Sequence, residues 1–153
     1  MDKTLHIEKM RNLKCAVVIP TYNNAGTIES VIRDVKEYCK DVIVVNDGST
    51  DSTLNIINNI DGIESIAYAP NHGKGYALRT GLNEAYNKGF QYALTLDSDR
   101  QYHADDIPKF VEAIEQEPDT LFIGSRCMSG ENMPLINTFA KRLSQNSAII
   151  AAS

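Results

Sequence analysis

Two aspartates that stand two residues apart, in the triplet Asp97-Ser98-Asp99, have the clearest capacity for chemistry in this sequence. They follow the apolar run Tyr92–Leu96, and an extended backbone there turns both carboxylates toward the same side, with Gln101 continuing the series. Hard divalent cations such as Mg²⁺ or Mn²⁺ prefer oxygen ligands and keep open positions for substrate phosphates. The triplet is equally typical of a turn that caps the helix beginning near Asp105, and both interpretations stay open.

Four further side chains stand after apolar runs or at the start of a helix and have chemistry that suits a nucleotide. Asp47 could accept a hydrogen bond from the ring N–H of uracil or guanine, and Gly48 permits a tight turn beside it. Lys74 lies between two glycines at the start of a helix, where backbone N–H groups and an ammonium could meet phosphate. Tyr22 could stack on a base or pack against the protein, and Arg126 could bind phosphate or form a surface ion pair.

The elements that must position these groups alternate between buried strands and amphipathic helices. Strands are predicted at Cys15–Ile19, Val42–Val45, Ile63–Ala67, Tyr92–Leu96 and Leu121–Ile123. Because parallel strands need crossover connections and the intervening helices supply them, we predict an α/β fold class, a mostly parallel sheet with helices on both faces. Ligands bind beyond the carboxyl ends of such strands, and most of the polar groups above directly follow a strand.

Other segments are predicted to have structural roles. Ser49-Thr50-Asp51 offers capping residues for the helix after the second strand, whatever the function. Residues 1–13 are predicted to be an N-terminal tail, because charges are mixed there with isolated apolar residues. From Ser129 onward we predict a helix through Phe139 and Leu143 and no further strand.

Composition excludes several classes of protein. A chain of 153 residues that is 42% hydrophobic and 23% charged fits one globular domain. The net charge is −5 and no run of Lys or Arg occurs, which argues against nucleic acid as a partner. Three widely separated cysteines favour a reducing cytoplasm. No signal peptide or bilayer-spanning apolar run is visible, so membrane contact is expected to be at most peripheral, at the inner face.

Five motifs, read in order, resemble family 2 of the glycosyltransferases. They are Val18-Ile19-Pro20-Thr21-Tyr22-Asn23, Val44-Val45-Asn46-Asp47-Gly48-Ser49-Thr50-Asp51, Asn71-His72-Gly73-Lys74-Gly75, Leu96-Asp97-Ser98-Asp99-Arg100-Gln101 and Gly124-Ser125-Arg126. The branch that they resemble is that of the dolichyl-phosphate and polyprenyl-phosphate mannose and glucose synthases. Each motif alone is weak, but five in register are specific.

This resemblance implies a GT-A fold, which is Rossmann-like and binds nucleotide sugars. It also implies inverting transfer from a UDP- or GDP-sugar, with Mg²⁺ or Mn²⁺, to an acceptor such as a polyprenyl phosphate, in cell wall or polysaccharide biosynthesis. Carried over by position, the nucleoside contacts are Pro20, Tyr22 and Asp47, the phosphate contacts are Gly73, Lys74 and Arg126, and the metal ligands are Asp97, Asp99 and Gln101. Asp97 is counted among the substrate contacts as well, and catalysis is assigned to Asp99 and Arg126.

The sequence departs from the family pattern in two ways. Asn46 stands where an aspartate is usual, and Asn24 where a glutamate is frequent. Family members also continue into an acceptor-binding region, so we expect a donor domain at residues 14–128 and the start of a truncated acceptor region at 129–153. The alternatives are a catalytically incomplete fragment that only binds nucleotide sugar, and a scaffolding protein. A sugar-phosphate nucleotidyltransferase or a dinucleotide-dependent oxidoreductase is disfavoured because no Gly-rich loop follows the first strand.

Overall fold

The computed structural model describes residues 2–99, 104–119, 122–125 and 136–142. Strands in these ranges are β1 (Cys15–Thr21), β2 (Val42–Asp47), β3 (Glu64–Tyr68), β4 (Tyr92–Leu96), β5 (Phe122–Ser125) and β6 (Ile136–Arg142). Helices are α1 (Lys3–Asn12), α2 (Ile28–Lys36), α3 (Thr53–Asn58), α4 (Lys74–Asn87) and α5 (Ile107–Gln116), the last preceded by a 3₁₀ turn at Ala104–Asp106. None of the helices in this described part is long and apolar enough to cross a bilayer.

The strands form one sheet in the order β3-β2-β1-β4-β6-β5. β1 to β4 are mutually parallel, whereas β6 runs antiparallel to both β4 and β5. The chain fills one side of β1 with β2 and β3 and then crosses to the other side with β4. Loops after β1 and β4 therefore diverge, and such a reversal of strand order creates a crevice beyond the carboxyl ends. The predicted α/β class with a mostly parallel sheet is confirmed.

Alternate residues of β1, β2 and β4 supply two separate cores, one on each face of the sheet. Val17, Ile19, Val44 and Leu94 face the larger core, which they share with apolar residues of α1, α2, α3 and α5. The smaller core lies on the other face under α4 and is lined by short side chains, among them Ala16, Val18, Val45, Ala77, Ala85 and Ala93. The predicted placement of helices on both faces is confirmed. Among the described residues, α4 is the one helix on its face of the sheet.

The close packing of α4 on the sheet depends on Gly81. A Cβ atom at this position would lie 2.4 Å from Cγ1 of Val18 and 3.0 Å from Cγ2 of Val45, both of which are β-branched and fully buried. Neither valine can rotate away without meeting other core atoms, because protein interiors are close-packed. Glycine is therefore required here by space, although it is the poorer helix former.

Replacing Gly81 with alanine is expected to destabilise the fold. Overpacking a core costs about 1–3 kcal/mol, and a contact as short as the one with Val18 places this site at the upper end. Alanine returns about 1 kcal/mol of helix propensity, so a net loss of about 2 kcal/mol is expected in chemical denaturation. Gly26→Ala is the matched control, since a Cβ atom there meets nothing within 4 Å. An equal loss in both variants would contradict the packing explanation.

Three elements differ from the sequence predictions. β3 lies one residue later than predicted, at Glu64–Tyr68. Residues 3–12, for which no structure was predicted, form α1, whose Met10 is buried in the larger core. The predicted helix through Phe139 is wrong, because Ile136–Arg142 is strand β6. This strand obtains its backbone partners from β4 and β5, and local side-chain spacing does not reveal such long-range pairing.

Candidate functional site

An open cleft of about 250 Å³ lies beyond the carboxyl ends of the parallel strands. Its walls come from the ends of β1 and β2, from the loops after β1, β3 and β4, and from the start of α4. The lining residues are Pro20, Thr21, Tyr22, Asn24, Asp47, Asn71, Lys74, Ala77, Asp97, Ser98 and Asp99. The cleft thus occupies the crevice that the reversal of strand order between β1 and β4 creates.

The loop after β1 is held by the loop after β2 through a set of hydrogen bonds around Asn23. The Asn23 side-chain Oδ1 accepts hydrogen bonds from the backbone N–H of Thr50 at 2.8 Å and of Asp51 at 3.3 Å. The Asn23 N–H donates to Oγ of Ser49 at 2.9 Å. Asn23 also has a φ of 51°, a conformation that asparagine tolerates better than most residues. Together these bonds fix the backbone beside Tyr22.

Of the predicted capping residues Ser49-Thr50-Asp51, only Asp51 bonds to the start of α3, whose N-cap is Ser52. Oδ1 of Asp51 accepts from the Thr53 N–H at 2.9 Å, and the Thr53 side chain and N–H lower the pKa of Asp51 below its ordinary value. The other side-chain oxygens of this segment accept hydrogen bonds from Asn23 and Ala25 in the loop after β1. Its side chains are used within the protein, and none of them lines the cleft.

The acidic triplet is anchored to the loop before α2 through its middle residue, Ser98. Ser98 is 3% exposed and its Oγ accepts a hydrogen bond from Nδ2 of Asn24. The backbone carbonyl of Ser98 accepts from Oγ1 of Thr27 at 2.6 Å. With Ser98 turned inward, the flanking Asp97 and Asp99 both line the cleft. Asn24 is a contact that we did not predict, because an asparagine after a strand is typical of any loop.

Asp97 has the most perturbed electrostatics in the cleft. Its side chain is 14% exposed, and Nζ of Lys74 lies 2.6 Å from its Oδ1. Burial raises the pKa of Asp97 above its ordinary value and the negative charge of Asp99 adds to this rise, whereas the Lys74 ammonium opposes both. A partly buried carboxylate beside a second one requires a neighbouring cation, and carboxyl groups with such perturbed pKa values concentrate at functional sites.

The donor set suits Mg²⁺ or Mn²⁺ bound together with a phosphate. Asp97 and Asp99 offer oxygen ligands at one wall of the cleft, and Asp97 already attracts a cation there. Within the described residues no group of three or more His, Cys, Asp or Glu side chains could hold a metal by itself. Two carboxylates leave most positions of an octahedral ion for water and phosphate oxygens, which is how Mg²⁺ usually binds at phosphate-transfer sites.

Asp47 holds the segment that leads into α4. Its carboxylate is 2% exposed and accepts from Nδ2 of Asn71 at 2.9 Å, from the His72 N–H at 2.8 Å and from the Gly73 N–H at 2.8 Å. Asn71 also donates to the Asp47 carbonyl at 3.0 Å. A carboxylate accepts about four hydrogen bonds. The Tyr68 hydroxyl also faces this carboxylate, and burial and then the interaction with Asp47 raise the pKa of Tyr68 above its ordinary value. The predicted Gly73 N–H contact with phosphate competes with this bond to Asp47.

The predicted tight turn at Gly48 is confirmed and brings the two loops together. Gly48 has a φ of +69°, and a Cβ atom there would lie 2.5 Å from the backbone nitrogen of Asn71. Only glycine permits both the backbone conformation and this approach. The aromatic rings of Tyr68, His72 and Tyr76 contact one another. Tyr68 meets Tyr76 edge to face, and the centroids of His72 and Tyr76 are 4.6 Å apart.

Of the residues predicted to contact a nucleotide sugar, six are brought together. Pro20, Tyr22, Asp47, Lys74, Asp97 and Asp99 line the cleft. Gly73 stands beside it, bound to Asp47. Tyr22 is 45% exposed at the cleft. Gln101 and Arg126 lie outside the described residues. Asn71 begins the third motif, but its role was not predicted. Its bond to Asp47 links positions 24 apart in sequence, and no local pattern reveals such a contact.

Comparison with known proteins supplies a family for this site. Residues 16–142 match the model of Glycosyl transferase family 2. A relative from Methanococcus voltae, named UDP-N-acetylglucosamine–dolichyl-phosphate N-acetylglucosaminyltransferase, is 32% identical over 139 residues, covering 78% of this chain and 55% of the relative. A dolichol-phosphate mannosyltransferase from Pyrococcus furiosus is 29% identical over 148 residues, covering 90% of this chain and 40% of the relative.

A solved structure has the same fold. Glucosyl-3-phosphoglycerate synthase from Mycobacterium tuberculosis, in complex with Mn²⁺, UDP and glucosyl-3-phosphoglycerate, superposes with a TM-score of 0.63 and 25% identity. The similarity covers 79% of this chain and 47% of that one. This chain spans about half the length of the curated relatives that it matches.

Proposed function

Because this chain belongs to glycosyltransferase family 2, we propose that its cleft binds a UDP- or GDP-sugar and that the chain is the donor-binding part of an inverting glycosyltransferase. The observation that carries this proposal is the convergence of Asp97, Asp99 and Lys74 on one cleft at the point where the strand order reverses. A cation site beside a lysine suits a diphosphate, and Tyr22 and Asp47 at the same cleft suit a base.

The geometry divides the donor between two parts of the cleft. We propose that the base stacks on Tyr22 and donates its ring N–H to the Asp47 carboxylate, beside Pro20. The diphosphate then lies toward Lys74 and the two aspartates. UDP is the first candidate nucleotide, since the Methanococcus voltae relative and the Mycobacterium tuberculosis complex both carry it in their names. Gln101 and Arg126 keep the metal and phosphate roles proposed from the sequence.

In an inverting transfer, an acceptor oxygen bonds to the anomeric carbon from the face opposite the diphosphate, whose bond to that carbon breaks. The leaving nucleoside diphosphate gains negative charge as the bond breaks, and fixed positive groups stabilise that charge in the transition state. When bound, Mg²⁺ or Mn²⁺ supplies Lewis-acid stabilisation at the leaving diphosphate, held by Asp97 and Asp99. Lys74 contributes a second positive charge on the same side of the sugar.

A lipid phosphate is the acceptor that we propose. The relatives from Methanococcus voltae and Pyrococcus furiosus are both named for transfer to a dolichyl or dolichol phosphate. Such an acceptor lies in a membrane, so this proposal includes peripheral contact between the protein and a membrane surface.

Calorimetric titration with UDP, GDP and their sugars, with Mn²⁺ and with a chelator, tests donor binding. We expect binding of one nucleotide that depends on the metal, followed by release of nucleoside diphosphate when polyprenyl phosphate is added. Binding without transfer would support the nucleotide-sugar-binding alternative. An absence of binding with every nucleotide, in a protein that unfolds cooperatively on heating, would refute the donor site itself.

A further inference from the structure

We propose that Lys74 is a placeholder cation, whose ammonium neutralises Asp97 until a metal ion arrives with a nucleotide diphosphate and then turns to the diphosphate. This inference rests on the proposed donor site and deepens it. The main evidence is the contact of 2.6 Å between Nζ of Lys74 and Oδ1 of Asp97, at the position where the metal is proposed to bind. The ammonium and a metal ion repel each other when both lie against that carboxylate, so they compete for it.

The charges around the cleft explain why a placeholder is needed. Asp97, Asp99 and Asp47 bring three carboxylates to the lining, and among the lining residues that the structure describes Lys74 alone carries a positive charge. The three carboxylates are not equivalent, because Asp47 is satisfied by donors from residues 71–73. Asp97 is 14% exposed and faces the repulsion of Asp99. Its charge would be costly in the absence of a cation, and Lys74 reduces that cost.

The position of Lys74 allows its head to move while its backbone stays fixed. Lys74 is the first residue of α4, directly after Gly73, whose N–H is held by Asp47. Its side chain is nevertheless 55% exposed and has four methylene groups that rotate freely in solvent. The ammonium is a point charge with three donors, which a phosphate accepts as readily as a carboxylate does. No backbone rearrangement is required to exchange the two partners.

This arrangement couples the metal to the nucleotide. A metal ion alone must displace Lys74 from Asp97 and leaves the ammonium without a partner beside another positive charge. A metal ion that arrives with a diphosphate brings the displaced ammonium a new anionic partner. Metal and nucleotide should therefore bind with positive cooperativity, and removal of the lysine charge should reduce that cooperativity by strengthening the first step and weakening the second.

The test measures Mn²⁺ binding without nucleotide, by electron paramagnetic resonance of the free ion. In Lys74→Met the Mn²⁺ affinity is expected to rise by about 5-fold or more, the lower end of typical coupling between sites. In the same variant the affinity for UDP or GDP with saturating Mn²⁺ is expected to fall. Lys74→Arg keeps the charge and should bind Mn²⁺ like the wild type. Lys88→Met removes an exposed lysine that pairs with Glu64 at the other end of α4, and should change neither affinity.

Three results would overturn the placeholder role: unchanged or undetectable Mn²⁺ affinity in Lys74→Met, equal tightening in Lys74→Arg, or equal tightening in Lys88→Met. The proposed function fails separately, when the wild type binds no nucleotide in the presence of Mn²⁺. Since the first measurement contains no nucleotide, Lys74 is tested whether or not the donor proposal survives. Thermal unfolding of each variant checks that it is folded. We expect the Lys74 variants to fold, because the Lys74 side chain is exposed.

Discussion

Replacing Asp97 and Asp99 together with asparagine is expected to remove the metal-dependent part of nucleotide binding. Substitution of groups that merely orient metal ligands already costs roughly 10- to 100-fold in metal affinity, so the loss of two direct ligands should exceed on the order of 100-fold. Any sugar transfer should fall with it, since metal stabilisation of the leaving group contributes several kcal/mol. Calorimetry with UDP and GDP, with Mn²⁺ and with a chelator, measures the effect.

The stability of the same variant separates function from folding. The pKa of Asp97 is raised by burial, so the folded protein disfavours its charged form relative to the unfolded chain. Stability from this group is therefore greatest below the ordinary carboxyl pKa and is lost as the pH rises through the raised pKa. A neutral asparagine removes that loss, and the free energy of unfolding at neutral pH should not fall.

Asp106→Asn is the matched control, because it removes a carboxylate that pairs with Lys109 outside the cleft. It should bind nucleotide and metal like the wild type. Unchanged metal-dependent affinity in the variant lacking both Asp97 and Asp99 would identify the triplet as a turn and cap only, the interpretation that the sequence left open. A comparable loss in Asp106→Asn would indicate a general effect of net charge.

The central strands were predictable because burial on both faces makes most of their sequence apolar. Every residue of β1, β2 and β4 is buried, and the apolar runs marked all three to within two residues at either end. β3 pairs only with β2, at the edge of the sheet, and most of its residues are partly or fully exposed. Its apolar signal is correspondingly weaker. β6 was missed because its antiparallel partners are remote in sequence.

The site was predictable in position but not in its internal bonds. Carboxyl ends of parallel strands share one edge, so Asp47 and Asp97 could be placed together from strand order alone. The sequence could not show that Ser98 would turn inward onto Asn24, or that Lys74 would lie against Asp97. Both contacts join segments that are far apart in the sequence. They depend on how the sheet brings those segments together, which the spacing of residues along the chain does not show.

Asp47→Asn is expected to release residues 71–73 and, with them, the start of α4. Whichever way the amide of the new asparagine points, its NH₂ group faces at least one backbone or side-chain donor that the carboxylate now accepts. A buried donor left without an acceptor costs about 1–3 kcal/mol, and bonds to a charged acceptor contribute about 1.5–3 kcal/mol each. We expect a loss of about 3 kcal/mol in chemical denaturation, and faster hydrogen exchange at the His72 and Gly73 amides.

Asp34→Asn removes the same charge from an exposed position of α2 and should leave stability and amide exchange unchanged. Asn71→Ala separates the two proposed uses of Asp47. It removes one donor to the carboxylate without touching the acceptor that a base would use. If Asp47 both holds the loop and accepts the base N–H, Asn71→Ala weakens nucleotide binding less than Asp47→Asn does, because only the second variant alters the acceptor. Equal weakening in both would assign Asp47 to loop positioning alone, whereas wild-type amide exchange in Asp47→Asn would contradict the loop-holding role.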